Sequence, residues 1–283
     1  MKRIVTVQDI SAVGKCSLTV ALPIISACGV ECAVMPTAVL STHTQFTGFT
    51  FHDLTDEIAP ISDHWQKEGL TFDAVYTGYL GSFEQIRIVS HVIDALKAQN
   101  PALRVIVDPA MADFGKLYTG FDEAFAHEMT SLCKKADIIV PNLTEAAYML
   151  GIPYPEHRCS EDEIKTILRG LSELGCKTTV LTGVSLQENK IGAMSYDRDT
   201  DTFALYENEH LAAQFHGTGD IFASVVTGAV TRGMTLAGAL TLAVDFTLAC
   251  IRNTMADDDR RWYGVNFESV LGMLTEAAGT YEN

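Results

Sequence analysis

The chain has 283 residues, 47% of them hydrophobic and 20% charged, the balance of a soluble globular protein long enough to bury a substantial core. Its net charge of −16, with no Lys/Arg tract or basic helix face, argues against nucleic acid and anionic membrane as partners. Seven cysteines without C-x-x-C pairs or nearby His ligands suggest neither a disulfide framework nor a zinc site. The N-terminus runs from Met1 straight into a strand-like segment without a signal-peptide pattern, and no apolar stretch is read as membrane-spanning. A cytoplasmic location is expected.

In chain order, strands are expected at residues 3–7, 31–35, 74–77, 104–107, 138–140 and 178–182. Helices are expected between them at 15–27, with Pro23 as a kink, and at 54–68, 83–98, 122–134, 143–150 and 161–174. Two further strands, 191–196 and 202–206, flank the polar turn Asp197-Arg198-Asp199-Thr200-Asp201, and helices at 221–232, 236–253 and 267–278 close the chain. The alternation predicts an α/β fold with a central, mostly parallel sheet covered by helices on both faces. No linker or repeat divides the chain, so residues 1–283 are expected to form one domain.

In such a sheet, ligands bind beyond the carboxyl ends of the strands, which directs attention to the residues just after each strand. Gln8-Asp9-Ile10-Ser11 is expected to be a substrate-side loop, although Ser11 could simply cap a helix. Ser41-Thr42-His43-Thr44-Gln45 packs hydrogen-bonding groups suited to a polar heterocycle, with the weight placed on the cluster and not on the His43 ring. Thr77-Gly78-Tyr79-Leu80-Gly81-Ser82 offers close backbone approach and an aromatic side chain, or a tight turn capped by Ser82. Asp108, fixed by Pro109, and Glu145, in Asn142-Leu143-Thr144-Glu145, bring two carboxylates to one edge, where hard Mg²⁺ could be held. Helix capping alone would also account for Glu145. Thr182 and Gly183 suit approach to a phosphate or ribose. Asp257 to Arg261 reads as a solvated, partly self-paired loop.

Phe215-His216-Gly217-Thr218-Gly219-Asp220 carries the most chemistry. Two glycines let backbone N–H groups converge at a helix N-terminus, an anion site, and put Asp220 beside the anion. A carboxylate there suits the removal of a proton from a hydroxyl that attacks phosphorus. An ordinary helix N-cap turn would share the pattern.

Together these segments resemble the ribokinase superfamily in its vitamin kinase branch, the pyridoxal/pyridoxamine and hydroxymethylpyrimidine kinases. Gly217-Thr218-Gly219-Asp220 is similar to the G-x-G-D anion hole and base, and Asn142-Leu143-Thr144-Glu145 to the N-x-x-E of the superfamily. Asp108 to Tyr118, Ser41 to Phe46 and Gly78 to Ser82 resemble pyridoxal kinase segments. The resemblance implies ATP-dependent phosphorylation of a 5′-hydroxymethyl group of vitamin B6, with Asp220 as base and the 217–219 amides as anion hole. It places Asp108 and Glu145 at Mg²⁺, Asn142, Thr182 and Gly183 along ATP, and Thr44 and Tyr79 at the pyridine ring. It also implies a flap at residues 114–120, a homodimer and a monovalent cation such as K⁺ near the phosphates. Asp9 stands where pyridoxal kinases carry a serine, with Ser11 two residues on, so an amine or protonated ring nitrogen could be favoured in the substrate. The competing readings are a hydroxymethylpyrimidine kinase and a non-catalytic vitamin- or nucleotide-binding protein; a dinucleotide oxidoreductase lacks its G-x-G-x-x-G.

Overall fold

The structure, a computed structural model, describes residues 1–279. Its elements run β1 (Arg3–Ser11), α1 (Leu18–Ala27), β2 (Glu31–Leu40), β3 (Phe51–Asp53), α2 (Thr55–Lys67), β4 (Ala74–Thr77), α3 (Phe83–Gln99) and β5 (Arg104–Val107). A small hairpin follows, β6 (Ala112–Asp113) and β7 (Lys116–Leu117), then α4 (Glu123–Cys133), β8 (Ile138–Ile139), α5 (Leu143–Leu150) and α6 (Glu161–Glu173). The chain continues through β9 (Thr178–Val184), β10 (Lys190–Asp197), β11 (Thr202–Glu209), α7 (Thr218–Arg232), α8 (Leu236–Met255), a short 3₁₀ turn and α9 (Gly272–Gly279).

The main sheet has the order β11-β10-β9-β8-β5-β4-β1-β2-β3. From β9 to β2 every pair is parallel; β3 and the β10–β11 hairpin pair antiparallel at the two margins. The chain passes from β1 to β2 on one side and then returns to β4 on the other, so strand order reverses at β1, and a crevice is expected beyond the carboxyl ends of β1 and β4.

Alternation along the strands feeds two cores. Val5, Val75, Val105 and Val107 face α3 to α6, while Ile4, Ala74, Tyr76 and Ile106 face α1, α7 and α8. The 20-residue α8 is long and apolar enough to cross a membrane by length and composition, contrary to the reading that no stretch reaches that length. Ala239, Leu240, Ala243, Val244 and Phe246 of this helix are buried in the core it shares with α7.

Two boundaries differ from expectation in ways that shape the site. β1 continues to Ser11, so Asp9 and Ser11 are strand residues and not a loop; the pairing with β2 is irregular between Gln8 and Ile10, beside Asp9. Such irregularities re-aim side chains next to functional sites. α1 begins at Leu18 instead of residue 15 because Lys15 and Ser17 take φ of 53° and 51°, which no right-handed helix admits. The helix then runs through Pro23.

Candidate active site

Asp220 occupies the first turn of α7, beside the Lys15–Ser17 loop that follows β1. Gly217 caps the helix with φ 84°, and a Cβ there would drive into the Lys15 carbonyl oxygen, so the turn is open only to glycine. Gly219 is exposed, with nothing within 4 Å of where a side chain would stand. The Thr218 hydroxyl donates to the Phe215 carbonyl at 3.3 Å. The first backbone N–H groups of α7 have no acceptor within the helix, and the space beside Gly219 is open, a setting suited to an anion.

Asp220 is half-buried, and loss of solvent around its carboxyl pushes its pKa up to about 6, against a hydrogen bond from the Ser17 backbone that lowers it; Asp9 raises it further. Asp9 is itself buried on β1 and raised by burial, although the Ser17 and Ser11 hydroxyls oppose the shift; Ser11 donates to its Oδ2 at 3.0 Å. Cys16 lies near both carboxylates, and burial followed by their charges pushes its thiol to about 12. It stays protonated and is no nucleophile.

Asp220 and Asp9 have folded pKa values above their unfolded ones, so each contributes stability at low pH that is lost as pH rises through the folded value. For Asp220 that window runs from the ordinary 3.8 to about 6. Thermal melts of the ligand-free protein should therefore show a falling Asp220 contribution across this range, and Asp220→Asn should flatten that part of the profile.

On the other side of the crevice, Asp108 and Glu145 converge at the ends of β5 and β8. Glu145 forms a capping box with Asn142: its Oε2 accepts from the Asn142 N–H at 2.8 Å, while the Asn142 Oδ1 accepts from the Glu145 N–H at 2.9 Å. Its Oε1 accepts from the Met111 N–H at 3.1 Å. Burial nonetheless pushes Glu145 to about 7, and burial, then Glu145 and Asp220, raises Asp108. The capping box is present, as one of the two sequence readings allowed, and the Met111 bond lies outside it. Among the described residues no group of three or more His, Cys, Asp or Glu could by itself hold a metal. The donor set still fits a hard divalent ion shared with phosphates: two buried carboxylates burdened by like charge, with Glu145 reached through water because both its oxygens are engaged.

The remaining expected residues line the same edge. Asn142 donates from Nδ2 to the Ala112 carbonyl at 2.8 Å and bridges to Thr182, whose N–H donates to Pro141 at 3.0 Å. Gly183 has φ 73° and open space around it. Tyr79 is half-buried near Asp9, which with burial raises its phenol, and it stacks on Phe121 at 5.6 Å. Ser82 does cap α3, accepting from the Gln85 N–H at 3.1 Å. Residues 112–117 form the β6–β7 hairpin, turned by Phe114 and Gly115 with φ of 49° and 76°; the Gly115 N–H donates to Thr144 Oγ1 at 3.0 Å, and the Phe114 ring is exposed.

The polar cluster after β2 is rearranged relative to expectation. Thr44 is exposed, and the buried group is the His43 ring. His43 Nδ1 accepts from the Gln45 N–H at 3.1 Å, so Nε2 carries the proton and donates to the Tyr263 carbonyl at 3.0 Å. His43 also lies 4.4 Å from His216, whose pKa is lowered to about 4 by burial and by His43. Phe46 and Trp262, 4.5 Å apart, lie 5.0 and 6.1 Å from the His43 ring. His216, Trp262 and Tyr263 were not singled out by sequence; His216, next to Gly217, was the nearest to a signal.

A family model described as phosphomethylpyrimidine kinase matches residues 22–261. The chain belongs to that family. A phosphomethylpyrimidine kinase family structure from Bacteroides thetaiotaomicron, a crystal form with pyridoxal, is 41% identical at TM-score 0.90, covering 96% of this chain and 95% of that one. Pyridoxal kinase from Lactobacillus plantarum is 29% identical at TM-score 0.88 over 100% of both chains. The curated hydroxymethylpyrimidine/phosphomethylpyrimidine kinase of Bacillus subtilis is 28% identical over 206 residues, 72% of each chain. The chain's mixed α/β architecture is that of the Lactobacillus plantarum pyridoxal kinase.

Proposed function

We propose that the chain transfers the γ-phosphoryl group of ATP to the 5′-hydroxymethyl group of vitamin B6. The observation that carries this reading is the Asp220 carboxyl, half-buried and held by the Ser17 backbone in the first turn of a glycine-lined helix N-terminus. With a pKa near 6 it is ionised at neutral pH yet basic enough to take the hydroxyl proton as that oxygen attacks phosphorus in line. The Gly217, Thr218 and Gly219 amides face the charge that spreads over the transferred group. Asn142, Thr182 and Gly183 lie along the phosphates and ribose of ATP. Asp108 and Glu145 would hold Mg²⁺, which would offset the negative charge of the ATP phosphates. K⁺ would stand at the same phosphate end. Residues 114–120 would act as part of a flap over the nucleotide, and sedimentation of the purified chain tests the expected homodimer.

At the alcohol end, Tyr79 and the residue 41–46 segment would frame the pyridine ring, with Thr44 at its solvent side. Asp9, with Ser11 fixing its carboxyl, would meet an amine or a protonated ring nitrogen, because burial leaves that carboxylate in want of a cation. The test is a phosphorylation panel of pyridoxal, pyridoxamine, pyridoxine and hydroxymethylpyrimidine. Asp9→Asn is expected to lower the pyridoxamine-to-pyridoxal ratio of kcat/KM about tenfold, the scale of one charge-assisted hydrogen bond. An unchanged ratio removes Asp9 from substrate choice. The family match and the Bacillus subtilis relative favour hydroxymethylpyrimidine as a second reading. Turnover of that alcohol alone would replace vitamin B6, and turnover of none would end the kinase reading.

A further inference from the structure

Lys15 and Ser17 both hold left-handed backbone, φ 53° and 51°, on either side of Cys16. Such a conformation costs a non-glycine residue about 1 kcal/mol or more and persists only where the surroundings enforce it. The enforcement comes from the far end of the chain. Lys15 Nζ donates to Asn266 Oδ1 at 3.1 Å and to Glu268 Oε2 at 2.8 Å, and lies 5.6 Å from the centre of the Phe267 ring. The Gly264 backbone lies flat against the Lys15 stem; a Cβ on Gly264 would come within 2.6 Å of the Lys15 Cβ.

Asn266 is the hub of this brace. Its N–H donates to Thr254 Oγ1 at 2.8 Å, its carbonyl accepts from Asn253 Nδ2 at 2.9 Å, and its Nδ2 donates to Asp257 Oδ2 at 2.7 Å. The end of α8 and the acidic turn after it are thereby tied to Lys15. On its other side the Lys15–Ser17 loop presses its Lys15 carbonyl against Gly217 and gives its Ser17 N–H to Asp220.

We propose that Lys15 and Asn266 are positioning residues, through which the C-terminal segment fixes the loop that orients the Asp220 carboxyl and the Gly217 turn. This rests on the reading of Asp220 as base. The ammonium of Lys15 is committed to Asn266 and Glu268, so it acts through the loop and not on a phosphate.

The test compares Lys15→Met, Lys15→Arg and Asn266→Asp in steady-state kinetics, thermal melts and hydrogen exchange. Lys15→Met is expected to lower kcat roughly 10- to 100-fold, the cost of a small misplacement of a reacting group, with KM for ATP unchanged. Lys15→Arg should recover most of the loss. Asn266→Asp, which keeps the acceptor for Lys15 but sets a second carboxylate against Asp257, should fall between them. Amide exchange at residues 14–17 should quicken in Lys15→Met while the middle of α8 is unaffected. A raised KM for ATP with unchanged kcat would make Lys15 a direct phosphate ligand and overturn the proposal. Unchanged kcat with unchanged exchange would overturn it too, as would a loss of kcat no larger than the loss of folded protein. If the wild type phosphorylates no alcohol while exchange still quickens, the brace stands and the kinase reading fails.

Discussion

Asp220→Asn is expected to lose about 10²- to 10⁴-fold in turnover, the range for removal of a positioned acid–base group, while nucleotide binding persists. The amide is nearly isosteric and can still accept from the Ser17 N–H, so the geometry at the start of α7 is kept and only proton acceptance is lost. The same substitution removes a half-buried charge held at a raised pKa of about 6. The variant should therefore melt higher than the wild type at pH 8, where the wild-type carboxylate is ionised in the folded state. Near pH 4 the gain should vanish, because the folded wild type already binds the proton. Turnover equal to wild type would remove Asp220 from the chemistry. Lost turnover together with lost stability at pH 8 would instead mean that the carboxylate braces the fold. The two readouts together separate a base from a structural group.

The parallel sheet was legible because its strands are short apolar runs ended by Pro or Gly, as at Val107 before Asp108-Pro109 and at Ile139 before Pro141. β4 and β5 fall where expected for that reason. β3, β6 and β7 were not legible: β3 is exposed throughout, and β6 and β7 are two residues each, too short for any period to register. β1 outran its expected end because Gln8, Asp9 and Ser11 are polar yet buried, which looks like a loop until their partners are seen.

The candidate site divides along the same line. Asp108, Asn142, Glu145, Thr182 and Asp220 were visible because a strand end or a helix start delivers each to one edge. Asp257 to Arg261 looked like a solvated loop, and Asp258 to Arg261 are exposed. Yet Asp257 holds Asn266, and Trp262 and Tyr263 reach the His43 cluster. The contacts of Trp262 and Tyr263 with His43 join residues more than 200 positions apart, which no local pattern encodes.

Gly217→Ala is expected to cost roughly 10²- to 10³-fold in turnover, comparable to loss of one anion-hole donor, and to lower the melting temperature as well. Two effects compound. At φ 84° an alanine pays the left-handed penalty of about 1–2 kcal/mol, and its methyl group cannot fit against the Lys15 carbonyl without moving one of the two backbones. Whichever moves, the first amides of α7 and the Ser17 N–H that holds Asp220 no longer keep their present relation. Gly219→Ala is the control, because Gly219 has ordinary helical backbone and open space at its Cβ. There alanine should stabilise the helix by about 0.5–1 kcal/mol while placing a methyl group in front of the helix N-terminus. Its melting temperature should hold or rise, and its loss should fall on KM for ATP or on kcat. If Gly217→Ala kept both turnover and melting temperature, the close approach of Lys15 to the turn would have no part in holding the anion site. If Gly219→Ala left kinetics untouched, the space before α7 would not be where the phosphoryl group passes.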